Sequence, residues 1–179
     1  MHGLIFAELK KYVTTKLGPT AWDALLHEAN LTKRFYLTGE SYPDAEAVAL
    51  VTAASRITQQ PANAILENFG EFIAPDLIEI YRSFIKPKWK TLELIEHTEA
   101  TIHKTVRLRD PGAAPPRLKT RRVSSREVEI LYTSERKMCG VAKGIARGIA
   151  KHYGEQVEVT ESTCMHHGAK QCTISVTLI

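Results

Sequence analysis

A proline-rich break near the middle of the chain most constrains what this sequence can fold into. Residues 110–116 read Asp-Pro-Gly-Ala-Ala-Pro-Pro. Proline lacks a backbone N–H and clashes with the preceding helical turn, so this stretch cannot be regular helix. Apolar residues recur every three or four positions before the break, whereas alternation and β-branched residues prevail after it. The pattern therefore predicts a helical N-terminal half followed by a β-rich part.

The predicted helices of the first half are bounded by proline, glycine and asparagine residues. They cover residues 4–16, a segment capped by Thr20 and stopped by Asn30, a run after Asp44 through Ile57, a segment from Pro61 through Phe72 that continues past Pro75 to Phe84, and residues Trp89 to Val106. His103 lies on the last of these helices, beside its apolar stripe.

Alternating residues predict the strands of the second half. They lie at Arg117 to Val123, Val128 to Thr133, Gln156 to Thr160 and Thr173 to Leu178, with a helix from about Lys137 to Tyr153 between the second and third. Because the strands follow one another through short connections, we expect a small antiparallel sheet of about four strands with helices on one side. The predicted fold class is α+β, in a single domain over residues 1–179.

Three glycines at four-residue spacing mark one face of the helix predicted after the second strand. Gly140, Gly144 and Gly148 leave a groove without side chains along that face. Such a groove allows either another helix or a flat ligand to approach closely. The spacing alone favours neither reading.

The charge distribution argues against nucleic-acid binding. The chain of 179 residues has a net charge of +4, with 44% hydrophobic and 25% charged residues, which is ordinary for a globular protein. Much of the basic excess comes from one segment, at Arg117, Lys119, Arg121, Arg122 and Arg126. No aromatic residue is interleaved there, so a solvated face is the simpler interpretation.

The N-terminal sequence predicts a cytoplasmic protein. Residues 1–9 lack the cationic start and the long apolar run of a signal peptide. No apolar stretch approaches the roughly 20 residues that span a bilayer, so we expect no membrane association. In that compartment cysteines are more often thiols or metal ligands than disulfides.

An alternating stretch at the end of the second predicted strand offers a set of polar donors. Tyr132, Ser134 and Arg136 point the same way in an extended chain. Two hydroxyls and a guanidinium on one face suit carboxylates or phosphates. This face is therefore a candidate anchor for an acidic ligand.

The cysteines form a second candidate site. Cys164 and Cys172 flank a turn that contains His166 and His167, and Cys139 stands at the start of the preceding helix. Thiolates and an imidazole would satisfy tetrahedral zinc. The spacing is not a common zinc-finger pattern, so three unrelated thiols are an equal alternative.

Motifs for an enzyme are missing from the sequence. It contains no Gly-x-Ser-x-Gly elbow, no His-Glu-x-x-His pair and no Gly-x-x-x-x-Gly-Lys phosphate loop. We therefore predict that the chain is not an enzyme.

Several motifs together resemble a known family. They are the start Met1 to Phe6, Trp22, the run Asn68 to Phe72, Ile102-His103-Lys104, Pro116 and above all Tyr132-x-Ser134-x-Arg136. Over essentially the whole chain, the sequence resembles the haem nitric-oxide/oxygen-binding (H-NOX) domains of the bacterial stand-alone type. That family is related to the sensor domain of soluble guanylate cyclase.

The resemblance implies a haem b cofactor held between the helices and the sheet. It makes His103 the axial ligand of the iron, assigns the two propionates to Tyr132, Ser134 and Arg136, and places Pro116, with Pro115 beside it, against the porphyrin. It also divides the domain into a helical distal part, residues 1–60, and a proximal part of helix and sheet, residues 61–179.

The resemblance further implies which gas is bound. Relatives that bind oxygen stably carry a distal tyrosine on the helix where this chain reads Met138-Cys139-Gly140-Val141-Ala142. Without a hydrogen-bond donor, bound oxygen is not stabilised, whereas nitric oxide needs little such help. We therefore expect nitric oxide to bind, with carbon monoxide as a second ligand.

Proteobacterial relatives that lack the distal tyrosine also contain a structural zinc bound by three cysteines, which implies zinc ligation by the matching Cys139, Cys164 and Cys172. Glu161 stands where the family's histidine would be expected. The fourth ligand is then His166, His167 or Glu161, with His166 as the first assignment.

The mechanism that the resemblance implies is a haem-based nitric oxide sensor. Nitric oxide weakens the bond from iron to His103, the helix shifts against the sheet, and a histidine kinase or diguanylate cyclase responds. Two alternatives remain: a haem-free ligand-binding or interaction module, and a redox switch in which the cysteines release zinc on oxidation.

Overall fold

The computed structural model describes residues 1–32, 34–110 and 112–179. Lys33 lies outside the described residues, and so does Pro111, which belongs to the predicted break. Helices dominate the first part. They are α1 (Gly3–Leu17), α2 (Ala21–Glu28), α3 (Asp44–Thr58), α4 (Ala62–Ile80), α5 (Thr91–Thr98), α6 (Lys104–Arg109) and, after the second strand, α7 (Cys139–His152). A π-helical turn, Glu99–His103, joins α5 to α6 into one continuous helix.

The second part forms a four-stranded antiparallel sheet within the described residues. Its strands are β1 (Arg117–Ser124), β2 (Glu127–Thr133), β3 (Val157–Thr163) and β4 (Cys172–Leu178), in the spatial order β1-β2-β4-β3. The α+β prediction, with α7 inserted between β2 and β3, is confirmed. Strands and helices differ from the predicted bounds by a few residues at their ends, where local patterns are weakest.

One face of the sheet packs against the helices. On β2 the side chains of Val128, Ile130 and Tyr132 alternate inward and are buried, and Ile174 and Val176 of β4 do the same. This strict alternation is what a half-buried antiparallel sheet requires. Tyr132 is therefore oriented toward the helices by the register of β2.

The buried side chains form two apolar clusters. One joins the sheet to α5 and α7, and the other joins α1, α2 and α3. Helix α4 belongs to both, since Ala74 lies in the first cluster and Phe69 and Ile73 lie in the second. The division of the domain between residues 60 and 61 stays a prediction.

The glycines of α7 face α4. A Cβ atom on Gly144 would lie 2.0 Å from the carbonyl oxygen of Glu67, and one on Gly148 would lie 2.5 Å from the Cβ of Ala74. Gly70 of α4 faces α7 in the same way, since a Cβ atom added to Gly70 would lie 2.3 Å from the carbonyl oxygen of Val141. The groove thus serves close helix packing, which is the first of the two readings open at the sequence level.

Two helices extend differently from the sequence pattern. Helix α4 runs through Pro75 as predicted but ends at Ile80, before the predicted end at Phe84. Trp89 precedes α5 instead of starting it, and the continuous helix runs on to Arg109.

Within the described parts of the chain, no helix is long and apolar enough to cross a membrane.

Candidate functional site

A cavity lies between the helices and the sheet. Its lining is mostly apolar and comes from α1, α4, the continuous helix α5–α6, strands β1 and β2, and α7. His103, Tyr132 and Arg136 are among the few polar side chains in the lining. A concave apolar space with a few convergent polar groups is the usual form of a cofactor site.

His103 enters this cavity from the π-helical turn. The backbone N–H of Lys104 bonds back to the carbonyl of Glu99, which is the wider spacing of a π-helix. The Nδ1 atom of His103 lies 3.0 Å from Oε2 of Glu99. The hydrogen bond to Glu99 occupies Nδ1, so Nε2 is the ring nitrogen left to bind a metal.

Glu99 is a carboxylate that sequence reasoning did not single out. Its Oε2 also accepts the backbone N–H of Leu118 at 3.1 Å, and its Oε1 accepts a bond from Arg107. Burial alone would raise the pKa of Glu99, but the hydrogen bonds from His103, Leu118 and Arg107 lower it to about 2. The four-residue spacing from Glu99 to His103 was the available signal, since such residues lie on one helical face.

The three predicted anchor residues do not play equal parts. Tyr132 is 3% exposed and lines the cavity, and its burial raises the pKa of the phenol to about 12. Arg136 also lines the cavity. Ser134 is buried outside the lining, where its Oγ accepts the backbone N–H of Arg136 at 3.3 Å. Ser134 therefore shapes the turn that presents Arg136.

Arg136 is held by residues far away in sequence. Its guanidinium lies 3.3 Å from Oδ2 of Asp44, at the start of α3, and donates to the carbonyl of Ala114. Pro115 and Pro116 line the cavity next to Ala114. Residues 113–116 of the proline-rich break thus form part of the cavity wall.

The wall contributed by Met138 and α7 is apolar. Its side chains are Met138, Val141, Ala142, Ile145, Ala146 and Ile149.

A second phenol in the lining is that of Tyr81, at the end of α4. Burial raises its pKa, and the nearby charge of Arg109 on α6 lowers it in part. Tyr81 thus lies near the helix that carries His103.

The cysteines form a cluster outside the cavity. The sulfurs of Cys139 and Cys172 each lie 3.8 Å from the sulfur of Cys164. The three sulfurs and a carboxylate oxygen of Glu161 all lie within 4.8 Å of one another. Burial raises the pKa of the thiols of Cys139 and Cys172, so both hold their protons in the metal-free protein.

Glu161 completes this group, whereas His166 stays outside it. The Nε2 atom of the exposed His166 lies 2.6 Å from the carbonyl oxygen of Lys137. One carboxylate oxygen of Glu161 accepts from Lys143 at 3.2 Å, and the other is buried without a hydrogen-bond partner among the described residues. Burial would raise the pKa of Glu161, but Lys143 outweighs it and lowers that pKa.

The fold and the cavity together define a class of protein. An α+β domain that encloses an apolar space, with the imidazole of His103 and the guanidinium of Arg136 in its wall, suits a large apolar cofactor that carries a metal and acidic groups. A sequence profile described as Haem-NO-binding matches residues 2–161. The chain belongs to this family of haem-based gas sensor domains, which confirms the resemblance.

Solved structures of bacterial H-NOX proteins share the fold. One from S. oneidensis in its Fe(II)NO state is 24% identical, with a TM-score of 0.92 over 100% of this chain and 99% of that one. One from K. algicida in the unliganded Fe(II) state is 19% identical, with a TM-score of 0.88 over 100% and 97%. A T. tengcongensis protein is 21% identical, with a TM-score of 0.86 over 99% and 97%.

The residues of the cavity suit haem. The apolar lining matches a porphyrin, Nε2 of His103 is free of protein partners in the hydrogen bonds described, and Arg136 offers a cation for an acidic group. Sequence reasoning missed Glu99, Asp44 and Ala114. For Asp44 and Ala114 no local pattern existed, because their contact with Arg136 is made only by the folded chain.

Proposed function

We propose that this protein is a haem-based nitric oxide sensor in which His103 binds the iron. The observation that carries the proposal is the contrast within the cavity lining: the π-helical turn contributes one imidazole, whereas Met138 and α7 contribute only apolar side chains. A haem bound there supplies a ferrous iron with one position open to a gas.

The apolar α7 wall favours nitric oxide over oxygen. Oxygen bound to iron carries partial negative charge, and a hydrogen-bond donor is needed to stabilise it. Met138, Val141 and Ala142 provide no such donor. Carbon monoxide needs none either, so it is the second ligand we expect, and the S. oneidensis relative has been solved in a Fe(II)CO state.

In the proposed sensor, Arg136 and Tyr132 would orient the cofactor through its propionates, and Ser134 would support the turn that carries Arg136. Pro115 and Pro116 would pack against the face of the cofactor. His103 would bind the iron, and weakening of that bond by nitric oxide would leave the helix of His103 free to move relative to the sheet. A histidine kinase or a diguanylate cyclase responds to that movement, and the chain itself catalyses no reaction.

Absorption spectra of the purified ferrous protein test the proposal. We expect a haem spectrum, a change of the Soret band with nitric oxide and with carbon monoxide, and oxidation without a stable complex in air. The His103→Ala variant should lose the normal ferrous band and regain it with added imidazole. The matched control is His97→Ala, on the same helix and stacked on Trp89 outside the cavity lining.

Three results would overturn the proposal or a part of it. A colourless wild-type protein, expressed with ample haem, would favour the haem-free module. A normal ferrous spectrum in His103→Ala without imidazole would show that another residue binds the iron. A stable oxygen complex would overturn the choice of nitric oxide alone.

We also propose that the thiol cluster binds a structural zinc ion with Glu161 as the fourth ligand. Tetrahedral zinc with Zn–S bonds of about 2.3 Å separates neighbouring sulfurs by about 3.8 Å. That is the separation of Cys164 from both Cys139 and Cys172. In this proposal the unpartnered oxygen of Glu161 is the fourth donor to zinc. We therefore assign Glu161, rather than His166 or His167, as the fourth ligand.

The zinc content of the wild type and the zinc affinity of two variants test whether Glu161 or His166 is the fourth ligand. We expect one zinc per chain, weaker zinc binding in Glu161→Gln by competition with a chromophoric chelator, and unchanged binding in His166→Gln. Loss of zinc in His166→Gln would restore the histidine assignment. Release of zinc by peroxide, followed with the same chelator, tests the redox-switch alternative independently of haem.

A further inference from the structure

One carboxylate joins the helix that bears His103 to the sheet. Glu99 accepts hydrogen bonds from three donors on three elements: Nδ1 of His103 in the π-helical turn, the backbone N–H of Leu118 in β1, and the guanidinium of Arg107 in α6. Its side chain is 28% exposed and that of His103 is 16% exposed. Their contact is thus largely protected from water.

The chemistry of this contact bears on the metal bond of the histidine. An imidazole that donates its second N–H to a carboxylate is fixed in orientation and becomes a more basic metal ligand. An amide in the same place would accept the hydrogen bond without the negative charge. The strength of the bond between Nε2 and iron therefore depends on which group accepts from Nδ1.

The position of the carboxylate is itself fixed by the sheet. Leu118 and His103 share Oε2 of Glu99, and Leu118 pairs with Tyr132 across β1 and β2. Tyr132 lines the same cavity. A movement of His103 away from iron would accordingly strain the bonds of Glu99 to the strand next to Tyr132.

We propose that Glu99 is the positioning residue for His103, setting the strength of the His103–iron bond and hence how readily nitric oxide releases His103. This inference rests on the proposed function, because it needs a haem bound through His103. It adds a residue outside the direct contact with haem that determines the sensitivity of the sensor.

The test compares Glu99→Gln with Glu96→Gln. Glutamine keeps the size and an acceptor oxygen at position 99 but removes the charge. Glu96 lies on the same continuous helix and pairs with Arg122 of β1, so its variant loses an equivalent helix-to-sheet ion pair without touching His103. Thermal unfolding of both variants checks that each remains folded.

Resonance Raman spectra of the ferrous proteins measure the iron–histidine stretch, and stopped-flow absorption measures loss of the histidine after nitric oxide binds. We expect Glu99→Gln to lower the stretching frequency and to speed histidine loss by roughly tenfold, the lower end of the effects seen for such supporting residues. Glu96→Gln should match the wild type in both.

The outcomes distinguish this inference from the proposed function. A wild type that binds no haem, or binds it without His103, would overturn both. A wild type with a His103–iron bond whose frequency and release rate do not change in Glu99→Gln would overturn only the role of Glu99. Equal changes in Glu99→Gln and Glu96→Gln would also overturn it, since they would reflect a loosened helix.

Discussion

The π-helical turn and α7 contribute to the same cavity in opposite ways. Around His103 the contacts are polar, because Glu99 is bonded to an imidazole, a guanidinium and a backbone N–H. Helix α7 presents apolar side chains to the cavity and glycines to α4. Polar bonds can be exchanged one for another, whereas close backbone packing changes only if helices move apart. The adjustable part of the site is therefore on the His103 side.

The hydrogen-bond donors lie on the His103 side of the cavity, and this placement has a physical reason. A donor on α7 would stabilise bound oxygen, and a looser α7 would let water in. Close packing through Gly140, Gly144 and Gly148 against α4 keeps that wall in place without using polar contacts inside the cavity. In the proposed function, the α7 wall selects the gas and the His103 side responds to it.

The largest effect is expected from Gly144→Val, which breaks the packing of the α7 wall. The new Cβ would lie 2.0 Å from the carbonyl oxygen of Glu67 and 2.8 Å from the backbone nitrogen of Glu71, so the two helices must separate. We expect the free energy of unfolding to fall by about 3 kcal/mol, measured by chemical denaturation. Gly39→Ala, where nothing lies within 4 Å of the added Cβ, should change it little. Equal stability of the two variants would contradict the role given to the glycines.

The second largest effect is expected from Ala142→Tyr, which adds a donor to the α7 wall. A hydroxyl near the bound gas should stabilise oxygen by about 1.5–3 kcal/mol, or roughly tenfold to a hundredfold in affinity. Oxygen binding and autoxidation followed by absorption would measure it. Ala142→Phe has the same ring without the hydroxyl and should not form a stable oxygen complex. If both variants bound oxygen alike, cavity shape and not hydrogen bonding would set the selectivity.

Local patterns in the sequence predicted much of this arrangement. Alternation from Val128 to Thr133 was enough to predict β2, because a half-buried strand has a period of two. The break at residues 110–116 predicted the change from helices to sheet. His103 was only a histidine beside an apolar stripe until the family resemblance gave it a role.

Other features could not be predicted, because they arise between distant segments. Asp44 meets Arg136 across 92 positions, and Lys143 meets Glu67 and Glu161 on two different elements. The π-helical turn arises from a local widening of the hydrogen-bond spacing, for which the sequence has no period. The glycine spacing showed that something approaches closely, but only the fold shows that α4 does.

The third prediction concerns the ion pairs that hold the outer side of α7. Glu67 accepts from Lys143 at 2.9 Å and from Arg147 at 2.6 Å. Burial would raise the pKa of Glu67, but these two cations outweigh it and lower that pKa from its ordinary value of 4.5. We expect Glu67→Gln to lower the free energy of unfolding near neutral pH by about 1 kcal/mol.

The pH dependence has a definite sign. Because the folded-state pKa of Glu67 is depressed, its stabilisation is complete above the unfolded value and is lost as the pH falls through the folded value. The difference between the wild type and Glu67→Gln should therefore be constant above about pH 5 and vanish at lower pH. Glu71→Gln, which loses only an exposed pair with Lys151, should show almost no difference. A gap that widens on acidification would contradict this account.

The smallest effect is expected from Arg107→Met, which removes one of the three donors to Glu99 on the His103 side of the cavity. Arg107 shares the negative charge of Glu99 with His103, so its removal leaves a stronger acceptor for Nδ1. The iron–histidine stretch should rise slightly, opposite to the shift in Glu99→Gln. Arg109→Met is the control, because Arg109 lies over the ring of Phe84 on the same helix. A fall in frequency would mean that Arg107 mainly holds the carboxylate in place, and then charge sharing would not explain how the His103 side is adjusted.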